Sequence, residues 1–254
     1  MSLVRTESRD HVATITIAPA GGLYDRALLD ALGEAAAAVA ADAADGGVRV
    51  VLLRADGDFG AGWAADADAT PDGIPGVPSA AAGIEAVAGI PQPVIAALRG
   101  QVRSAALELA LACDIRVAAV DARFALPDTQ AGGVPRAGGT QRLPRAVGRA
   151  HALRLVLTGE EIDAAEAKRI GLVSAVVPSE DVDATARSLA GTIAARGPIA
   201  TRLAKEAVHR GLEMPLAQAL RYELDLTVLL QSTADRAEGV RAFAEKRPPR
   251  FIGR

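Results

Sequence analysis

The sequence predicts an α/β core that is followed by a helical C-terminal region. Two apolar runs of strand length, residues 48–55 and 93–98, alternate with helix-forming segments in the first half of the chain. After about residue 177, the sequence is typical of helices up to about residue 246. Alternation of strands and helices is typical of a core built on a parallel sheet. The length of 254 residues suits one large domain, or one domain with a helical appendage.

The N-terminal elements follow from periodicity and composition. Residues 11–18 alternate between apolar and polar side chains, which predicts a strand. The alanine-rich stretch 25–44 predicts a helix, because alanine is the best helix former. The continuous apolar run 48–55 predicts a strand that is covered on both faces. Prolines and glycines interrupt residues 71–80, which predicts a loop.

The middle of the chain continues the alternation and contains an unusual glutamate. Residues 79–90 predict a helix, and residues 93–98 predict a second buried strand. A helix around Glu108 follows in the segment RSAALELALACDIRVAA, and a further strand starts from Asp114. The helical neighbours of Glu108 are all small or apolar. Because an unpartnered buried carboxylate is costly, Glu108 requires an explanation.

The second half of the chain changes to mainly helical patterns. Asp163 and Glu166 have the spacing of a capping box, and Gly171 is a stop signal for the helix predicted at residues 162–171. The apolar segment 172–177 comes before the helical C-terminal region.

Composition argues against several classes of protein. The net charge is −3 and the basic residues are scattered, so we expect no nucleic-acid partner. The N-terminus has no apolar signal region, and no run of about 18 uncharged apolar residues occurs. We therefore expect no membrane association and a cytoplasmic location.

Cysteine and histidine usage gives no sign of a disulfide or a metal site. Cys113 is the single cysteine, which excludes a disulfide within the chain and suits a reducing compartment. It lies in an apolar run, so we expect an inert core residue. The three histidines are far apart and show no metal-ligand spacing, so no metal is expected.

One motif invites a nucleotide-binding interpretation. The segment GAGWAA, residues 60–65, fits the glycine pattern of dinucleotide-binding loops. However, it follows the second strand rather than the first, and the residues after it are a poor opening for the required helix. A lone glycine motif is weak evidence, so dinucleotide binding is disfavoured.

Two carboxylates are candidates for acid/base chemistry. Glu108 is one, and Asp128, which follows the strand-like ARFAL and Pro127, is the other. Two carboxyl groups in one apolar pocket would have raised and separated pKa values, which suits proton transfer at neutral pH. From spacing alone, the structural alternative is favoured: Glu108 paired with a distant arginine and Asp128 capping a turn.

Two short segments are candidates for an oxyanion hole. Peptide N–H groups beside small residues can reach a developing oxyanion, and both GAGW and SAAL offer such groups. The alternative is equally simple, since glycines also form turns and alanines also form helices.

Considered together, these stretches carry a family resemblance over nearly the whole chain. The matching segments are VRVVLLRADGDFGAGWAAD, RGQVRSAALELALACDIRVAAVDARFALPD, AGGTQRLPRAVG, LTGEEIDAAEAKRIGLVSAVV, GPIATRLAKEAV and DRAEGVRAFAEKRPPRF. In this order and at these separations they resemble the crotonase superfamily, the enoyl-CoA hydratase/isomerase family. The resemblance implies a spiral core of ββα-type turns over residues 1–195. It also implies a helical trimerisation region over residues 196–254.

The resemblance also implies a ligand and an assembly. The ligand is an acyl-CoA thioester, so coenzyme A is part of the substrate and no other cofactor is expected. The assembly is a homo-oligomer, either a trimer or a dimer of trimers.

The resemblance further implies roles for individual residues. The peptide N–H groups of Trp63 and Ala105 match the oxyanion hole that holds the thioester oxygen. Glu108 and Asp128 match the two hydratase carboxylates, which activate water and deliver a proton to C2. The implied reaction is addition of water across C2=C3 of a 2-enoyl-CoA, or the reverse dehydration.

Further residues match substrate-binding positions. They are Gly62, Arg136, Phe243 and Lys246. Lys246 matches a position that contacts a CoA phosphate near a subunit contact. The structural alternative is a lysine late in a helix, where it would complement the helix dipole.

Departures from the family pattern leave other functions open. Ser104, Ala105 and Ala106 replace a run of glycines, Trp63 replaces an alanine, and Arg136 replaces a glycine. Asp128 is one methylene shorter than the usual glutamate, and GGLYDRALL replaces the usual NAL segment. The alternatives are a double-bond isomerase, another crotonase-type reaction such as thioester hydrolysis or decarboxylation, and a non-catalytic acyl-CoA binder. An ion pair between Arg136 and Asp128 would favour the binder.

Overall fold

The computed structural model describes residues 2–42, 47–65, 67 and 81–254. Its strands are β1 (Val4–Arg9), β2 (Val12–Ile17), β3 (Leu23–Tyr24), β4 (Val50–Ala55), β5 (Gly62–Trp63), β6 (Val94–Leu98), β7 (Gln101–Arg103), β8 (Ile115–Ala119), β9 (Arg123–Ala125), β10 (Ile162–Asp163) and β11 (Ala175–Val177). Its α-helices are α1 (Arg26–Asp42), α2 (Ala81–Ala88), α3 (Ala105–Ala112), α4 (Gly139–Thr158), α5 (Ala164–Arg169), α6 (Val182–Ala194), α7 (Pro198–Gly211), α8 (Leu216–Gln231) and α9 (Ala234–Ala244).

A mainly parallel sheet forms the centre of the core. Among the described residues, six strands lie in the order β1-β2-β4-β6-β8-β11. The β1–β2 pair is antiparallel, and the other pairs are parallel. Every residue of β2 and β6 is buried, as expected for strands that are covered on both faces.

Two smaller sheets give the core its spiral path. The chain leaves β6 for β7 and leaves β8 for β9, and β7 and β9 pair with each other in parallel. The short strands β3 and β5 form a separate parallel pair. An isolated bridge between Gly60 and Val102 connects the region of β5 to β7. Successive turns therefore place one strand in the large sheet and the next in a smaller one.

The predicted buried strands and N-terminal helices are confirmed. Strands β2, β4, β6 and β8 and helices α1, α2 and α3 lie where apolar periodicity and composition predict them. The predicted loop at 71–80 lies outside the described residues. The sequence does not predict α4, because Pro144 and Gly148 interrupt its pattern. In the structure, the backbone of α4 leaves helical geometry at Gly148, where φ is 78°.

The capping box predicted for α5 is half confirmed. The Asp163 carboxylate accepts a hydrogen bond from the N–H of Glu166 at 2.8 Å. The Glu166 carboxylate instead pairs with Arg154 and Arg169 at 2.8 and 2.6 Å. These two arginines lower the pKa of Glu166 to about 2. The Asp163 side chain therefore caps the start of α5, whereas the Glu166 side chain does not bond back to the backbone of Asp163.

The C-terminal region is helical, as predicted. The boundary at residues 195 and 196 falls between α6 and α7, and the division into two domains there stays a prediction. Helix α8 carries a stripe of exposed apolar side chains at four-residue spacing, formed by Leu216, Leu220, Leu224 and Val228. Within the described ranges, no helix is both long and apolar enough to span a bilayer.

Helices α1 and α2 approach each other closely at Gly83. A Cβ atom at this position would lie 2.2 Å from the carbonyl oxygen of Leu29 and 2.9 Å from its carbonyl carbon. Because backbone atoms cannot move aside as a flexible side chain can, this contact requires glycine.

Gly83→Ala should therefore destabilise the protein by about 1–3 kcal/mol, the usual cost of overpacking. Gly191→Ala in α6 is the matched control, because in the described structure its Cβ would meet no atom within 4 Å. The control should gain up to about 1 kcal/mol from helix propensity. Urea denaturation of both variants measures the difference, and equal unfolding free energies would contradict the close packing of α1 on α2.

Candidate active site

Glu108 lies in the middle of α3 and is completely buried. Its Oε1 accepts hydrogen bonds from the peptide N–H groups of Ala137 at 2.7 Å and Gly139 at 2.8 Å. Its Oε2 is buried and has no hydrogen-bond partner within the described part of the chain. The expected structural alternative, a distant arginine partner, is therefore not what holds Glu108. One carboxylate oxygen is fixed by the backbone, and the other is available for chemistry.

The surroundings of Glu108 favour its protonated form. Burial raises the pKa of the Glu108 carboxyl above its ordinary value, and the negative charge of Asp128 adds to the rise. The peptide N–H groups of Gly139, Ala137 and Arg136 oppose it by stabilising the carboxylate. A carboxyl group whose pKa is moved upward towards neutrality is suited to exchanging protons with a bound substrate.

Asp128 lies close to the start of the same helix. It belongs to a short 3₁₀ helix, Pro127–Ala131, that follows β9. Its Oδ2 accepts a hydrogen bond from the Ser104 hydroxyl at 3.2 Å. The Ser104 carbonyl oxygen, in turn, accepts the N–H of Glu108 at 2.9 Å. Ser104 therefore joins the segments that carry the two predicted carboxylates, and the structure brings them to one neighbourhood.

The start of α3 is conformationally strained. Ser104 has φ 43° and ψ −115°, a region that non-glycine residues rarely adopt. It is the residue before Ala105, whose N–H lies at the first helical position and has no acceptor within the helix. Such strain of about 1–3 kcal/mol persists where the surroundings enforce it, and it concentrates at functional sites. The dipole of α3 adds positive potential at this N–H.

Trp63 presents its peptide N–H next to this helix start. The N–H of the following residue, Ala64, donates to the carbonyl of Tyr24 at 3.0 Å. Because successive peptide groups of an extended strand point in opposite directions, the N–H of Trp63 points away from β3. A Cβ at Gly62 would lie 3.9 Å from the Cβ of Ser104, so β5 runs beside the start of α3.

Tyr24 holds β5 in place, a role that is not apparent from the sequence. Its side chain is fully buried, and its hydroxyl donates to the carbonyl of Phe59 at 2.8 Å. Gly60 has φ 154°, and a Cβ there would lie 2.3 Å from the Tyr24 ring. The signal in the sequence was the unusual GGLYDRALL segment, although nothing in it shows that Tyr24 packs on the glycine loop.

Arg136 and Trp63 stack on each other. The guanidinium carbon of Arg136 lies 4.5 Å from the centre of the Trp63 ring. Within the described part of the chain, Arg136 makes no ion pair with Asp128. Among the described residues, the Arg136–Asp128 ion pair that would favour a non-catalytic binder is therefore not formed.

Phe243 and Lys246, the two candidate substrate-binding residues of the C-terminal region, lie on α9 and just after it. Phe243 is on α9 with 87% of its surface exposed. Lys246 is exposed and lies two residues beyond the end of α9 in a left-handed conformation, with φ 53°. The expectation of a lysine within the last turn of a helix is therefore wrong. Among the described residues, neither side chain hydrogen-bonds to the groups around Glu108.

Cys113 behaves as predicted. Its side chain is buried in the core, and burial raises the pKa of its thiol to about 12. A thiol in this state is a poor nucleophile at neutral pH.

Comparisons with known proteins show which family this chain resembles. The family described as enoyl-CoA hydratase/isomerase matches residues 25–254. A probable enoyl-CoA hydratase of Mycobacterium tuberculosis is 46% identical over 168 residues, which cover 66% of this chain and 65% of the relative. The 2,3-dehydroadipyl-CoA hydratase of Escherichia coli is 46% identical over 163 residues, which cover 64% of each. The chain thus aligns with slightly less than two thirds of the length of these relatives.

A solved structure extends the similarity to the whole chain. The crystal structure of an enoyl-CoA hydratase from Bacillus anthracis is similar with a TM-score of 0.89 and 36% identity. The superposition covers 100% of both chains.

The raised pKa of Glu108 predicts a pH-dependent stability. Because the folded state favours the protonated carboxyl, this contribution to stability is fully present below the unfolded pKa of about 4.3. It is lost as the pH rises through the higher folded value. We expect the melting temperature of the wild type to fall relative to Glu108→Gln as the pH rises above the unfolded pKa of about 4.3.

Glu34→Gln, an exposed carboxylate on α1, is the control and should follow the wild type. Parallel melting profiles of the wild type and Glu108→Gln would show that burial of Glu108 carries no such penalty.

Proposed function

The chain belongs to the enoyl-CoA hydratase/isomerase family, and we propose that it adds water across C2=C3 of a 2-enoyl-CoA thioester or catalyses the reverse dehydration. The observation that carries the proposal is the carboxylate of Glu108, in which only one of the two oxygens is hydrogen-bonded to the described part of the protein. Its Oε1 is held by two peptide N–H groups, while the buried Oε2 keeps its acceptor sites for water or substrate. A purely structural carboxylate would be expected to use both oxygens.

We assign the oxyanion hole to the peptide N–H groups of Trp63 and Ala105. Both belong to short elements beside Ser104, and neither requires a side chain for the interaction. Donors aimed at the thioester oxygen stabilise the enolate-like charge that develops there. This polarisation makes C3 electrophilic and acidifies C2.

We assign water activation and proton delivery to Glu108 and Asp128 as a pair. The oxygen of water adds to C3, one proton of that water passes to a carboxylate, and a proton is delivered to C2. The burial that raises the pKa of Glu108 also strengthens the carboxylate as a base. The hydroxyl of Ser104 orients Asp128 towards the same region.

We further propose how the CoA ester is held. Gly62 lets the backbone of β5 approach the thioester, Arg136 lies at the acyl end, and Phe243 and Lys246 contact the CoA moiety. Coenzyme A is part of the substrate, and the mechanism requires no metal or redox cofactor. A cytoplasmic location remains a prediction.

The C-terminal region is proposed to mediate self-association. The exposed apolar stripe on α8, from Leu216 to Val228, supports a homo-oligomer, because contiguous exposed apolar surface marks interaction sites. The proposed assembly is a trimer or a dimer of trimers. Exposure of Phe243 and Lys246 is compatible with their reaching a neighbouring subunit.

Glu108→Gln and Asp128→Asn should each lower kcat by roughly 10²-fold or more, the scale of losing a positioned acid or base. Binding of the CoA ester should change little. Steady-state hydration of enoyl-CoAs of several chain lengths, with Glu34→Gln as the control, measures the effect. Loss of activity in Asp128→Asn alone would favour the isomerase. Absence of turnover in the wild type, with micromolar binding of the ester, would favour the binder.

Lys246→Ala should raise KM for the CoA thioester by roughly tenfold or more while leaving kcat nearly unchanged, because a charge-assisted contact contributes about 1.5–3 kcal/mol. The truncated pantetheine thioester lacks the phosphates of the nucleotide and should show no such change. Lys168→Ala, at an exposed lysine on α5, is the control. Equal changes in KM for both substrates would exclude a phosphate contact by Lys246.

A further inference from the structure

Arg142 contacts the stretch of backbone that holds Glu108. Its Nη1 donates a hydrogen bond to the carbonyl oxygen of Ala137 at 2.9 Å. The N–H groups of Ala137 and Gly139 donate to Glu108 Oε1 at 2.7 and 2.8 Å. Three consecutive peptide groups are therefore involved. The outer two supply the donors for Glu108, and the carbonyl of the middle one is bound by Arg142.

The middle peptide group needs such an anchor because Gly138 follows it. The directions of the two outer N–H groups relative to each other depend on the backbone torsions on either side of the middle group. Gly138 has φ 105° and ψ −2°, and glycine restricts its own torsions less than any other residue. A side chain that binds the middle carbonyl supplies the restraint that glycine lacks.

The same glycine lets the guanidinium of Arg142 come close to the backbone. A Cβ at Gly138 would lie 2.2 Å from Arg142 Nη1 and 3.0 Å from its Cζ. The arginine therefore occupies space that any other residue at position 138 would fill with its own side chain. Glycine thus gives the arginine access and at the same time makes the backbone depend on it.

Glu85 orients the guanidinium from the opposite side. Arg142 Nη2 donates to the two carboxylate oxygens of Glu85 at 2.8 and 2.9 Å. Glu85 lies on α2 with 57% of its side chain exposed, whereas 22% of the Arg142 side chain is exposed. An ion pair this exposed contributes little free energy of its own. It nevertheless fixes the plane of the guanidinium, so that Nη1 faces the carbonyl of Ala137.

We propose that Arg142 is a positioning residue for Glu108. It holds the peptide group between Ala137 and Gly138 and thereby aims the two N–H groups that fix Glu108 Oε1. This inference rests on the proposed hydratase function, which assigns Glu108 to the reaction. Arg142 acts through the backbone in this scheme and takes no part in proton transfer.

The kinetic test is Arg142→Met, which keeps an apolar stem and removes the guanidinium. With the 2-enoyl-CoA that the wild type hydrates fastest, kcat should fall by roughly ten- to a hundredfold, the scale on which a misplaced catalytic group acts. KM should change little, because the lost interaction serves the reaction step rather than binding of the ester. Arg142→Lys keeps the charge and a donor without the planar fork, and it should recover part of the loss.

The pH profile distinguishes positioning from a general structural role. Burial raises the pKa of the Glu108 carboxyl, and the peptide N–H groups of Gly139 and Ala137 oppose this rise. Misdirecting these donors should therefore raise the pKa further. The acidic limb of the kcat profile, where the carboxylate becomes protonated, should lie at higher pH in Arg142→Met than in the wild type.

Arg145→Met is the matched control, since Arg145 is an exposed arginine of α4 that donates to the carbonyl of Gln141. It should keep the wild-type kcat and pH profile. A wild-type kcat and profile in Arg142→Met, a change in KM alone, or equal losses in both variants would overturn the inference.

A stability measurement separates this inference from the proposed function. Glu108→Gln is introduced into the wild type and into Arg142→Met, and urea denaturation gives the free energy of unfolding of each protein at about pH 5 and about pH 8. At the higher pH, the substitution should favour the folded state more in Arg142→Met than in the wild type, because a buried carboxylate with misdirected donors is costlier. This difference should shrink at the lower pH as the carboxyl becomes protonated.

The stability comparison requires no turnover. A wild type that hydrates no enoyl-CoA would refute the hydratase function alone. Equal effects of Glu108→Gln in both backgrounds, at both pH values, would refute the role of Arg142. Should Arg142→Met fail to fold, Arg142→Lys takes its place in the comparison, with the same direction and a smaller difference expected.

Discussion

The two hydrogen bonds from Ala137 and Gly139 to one oxygen of Glu108 are the constraint on which the proposed site depends. They make burial of a carboxylate tolerable in the middle of α3, and they attach the start of α4 to that helix. A Cβ at Gly139 would lie 3.0 Å from Glu108 Oε1 and 2.9 Å from a side-chain carbon of Pro135. Glycine at 139 is therefore part of the same arrangement, because a side chain would disturb the contact that fixes the carboxylate.

The strained backbone of Ser104 is a second feature on which the proposed site depends. The residue adopts a φ of 43° although it carries a side chain, and it connects Asp128 to the helix that holds Glu108. A glycine would adopt this conformation at less cost but would lack the hydroxyl. The chain thus tolerates backbone strain at the point where a proposed oxyanion donor and the two candidate carboxylates converge. Strain of this kind, enforced by its surroundings, is typical of functional sites.

The sequence predicts most of the core and the identity of the carboxylates, but not how the site is held together. Strands such as β4 and β6 are continuous apolar runs, so their pattern is visible in the sequence. The two-residue strands β3 and β5 are too short to show any periodicity, and their pairing depends on tertiary contacts. The same is true of the Trp63–Arg136 stack, which joins residues far apart in the chain. Local patterns and the family resemblance therefore nominate the candidate carboxylates, whereas the positions of those groups require the folded chain.

The most direct test of the proposed active site is a crystal structure of the protein with a slowly hydrated 2-enoyl-CoA analogue. In the proposed site, we expect the thioester oxygen about 2.7–3.1 Å from the peptide nitrogens of Trp63 and Ala105. We also expect a water beside C3 within hydrogen-bonding distance of Glu108 Oε2. A thioester oxygen bound elsewhere, or an acyl chain on a face of α3 that Glu108 does not reach, would contradict the proposed active site.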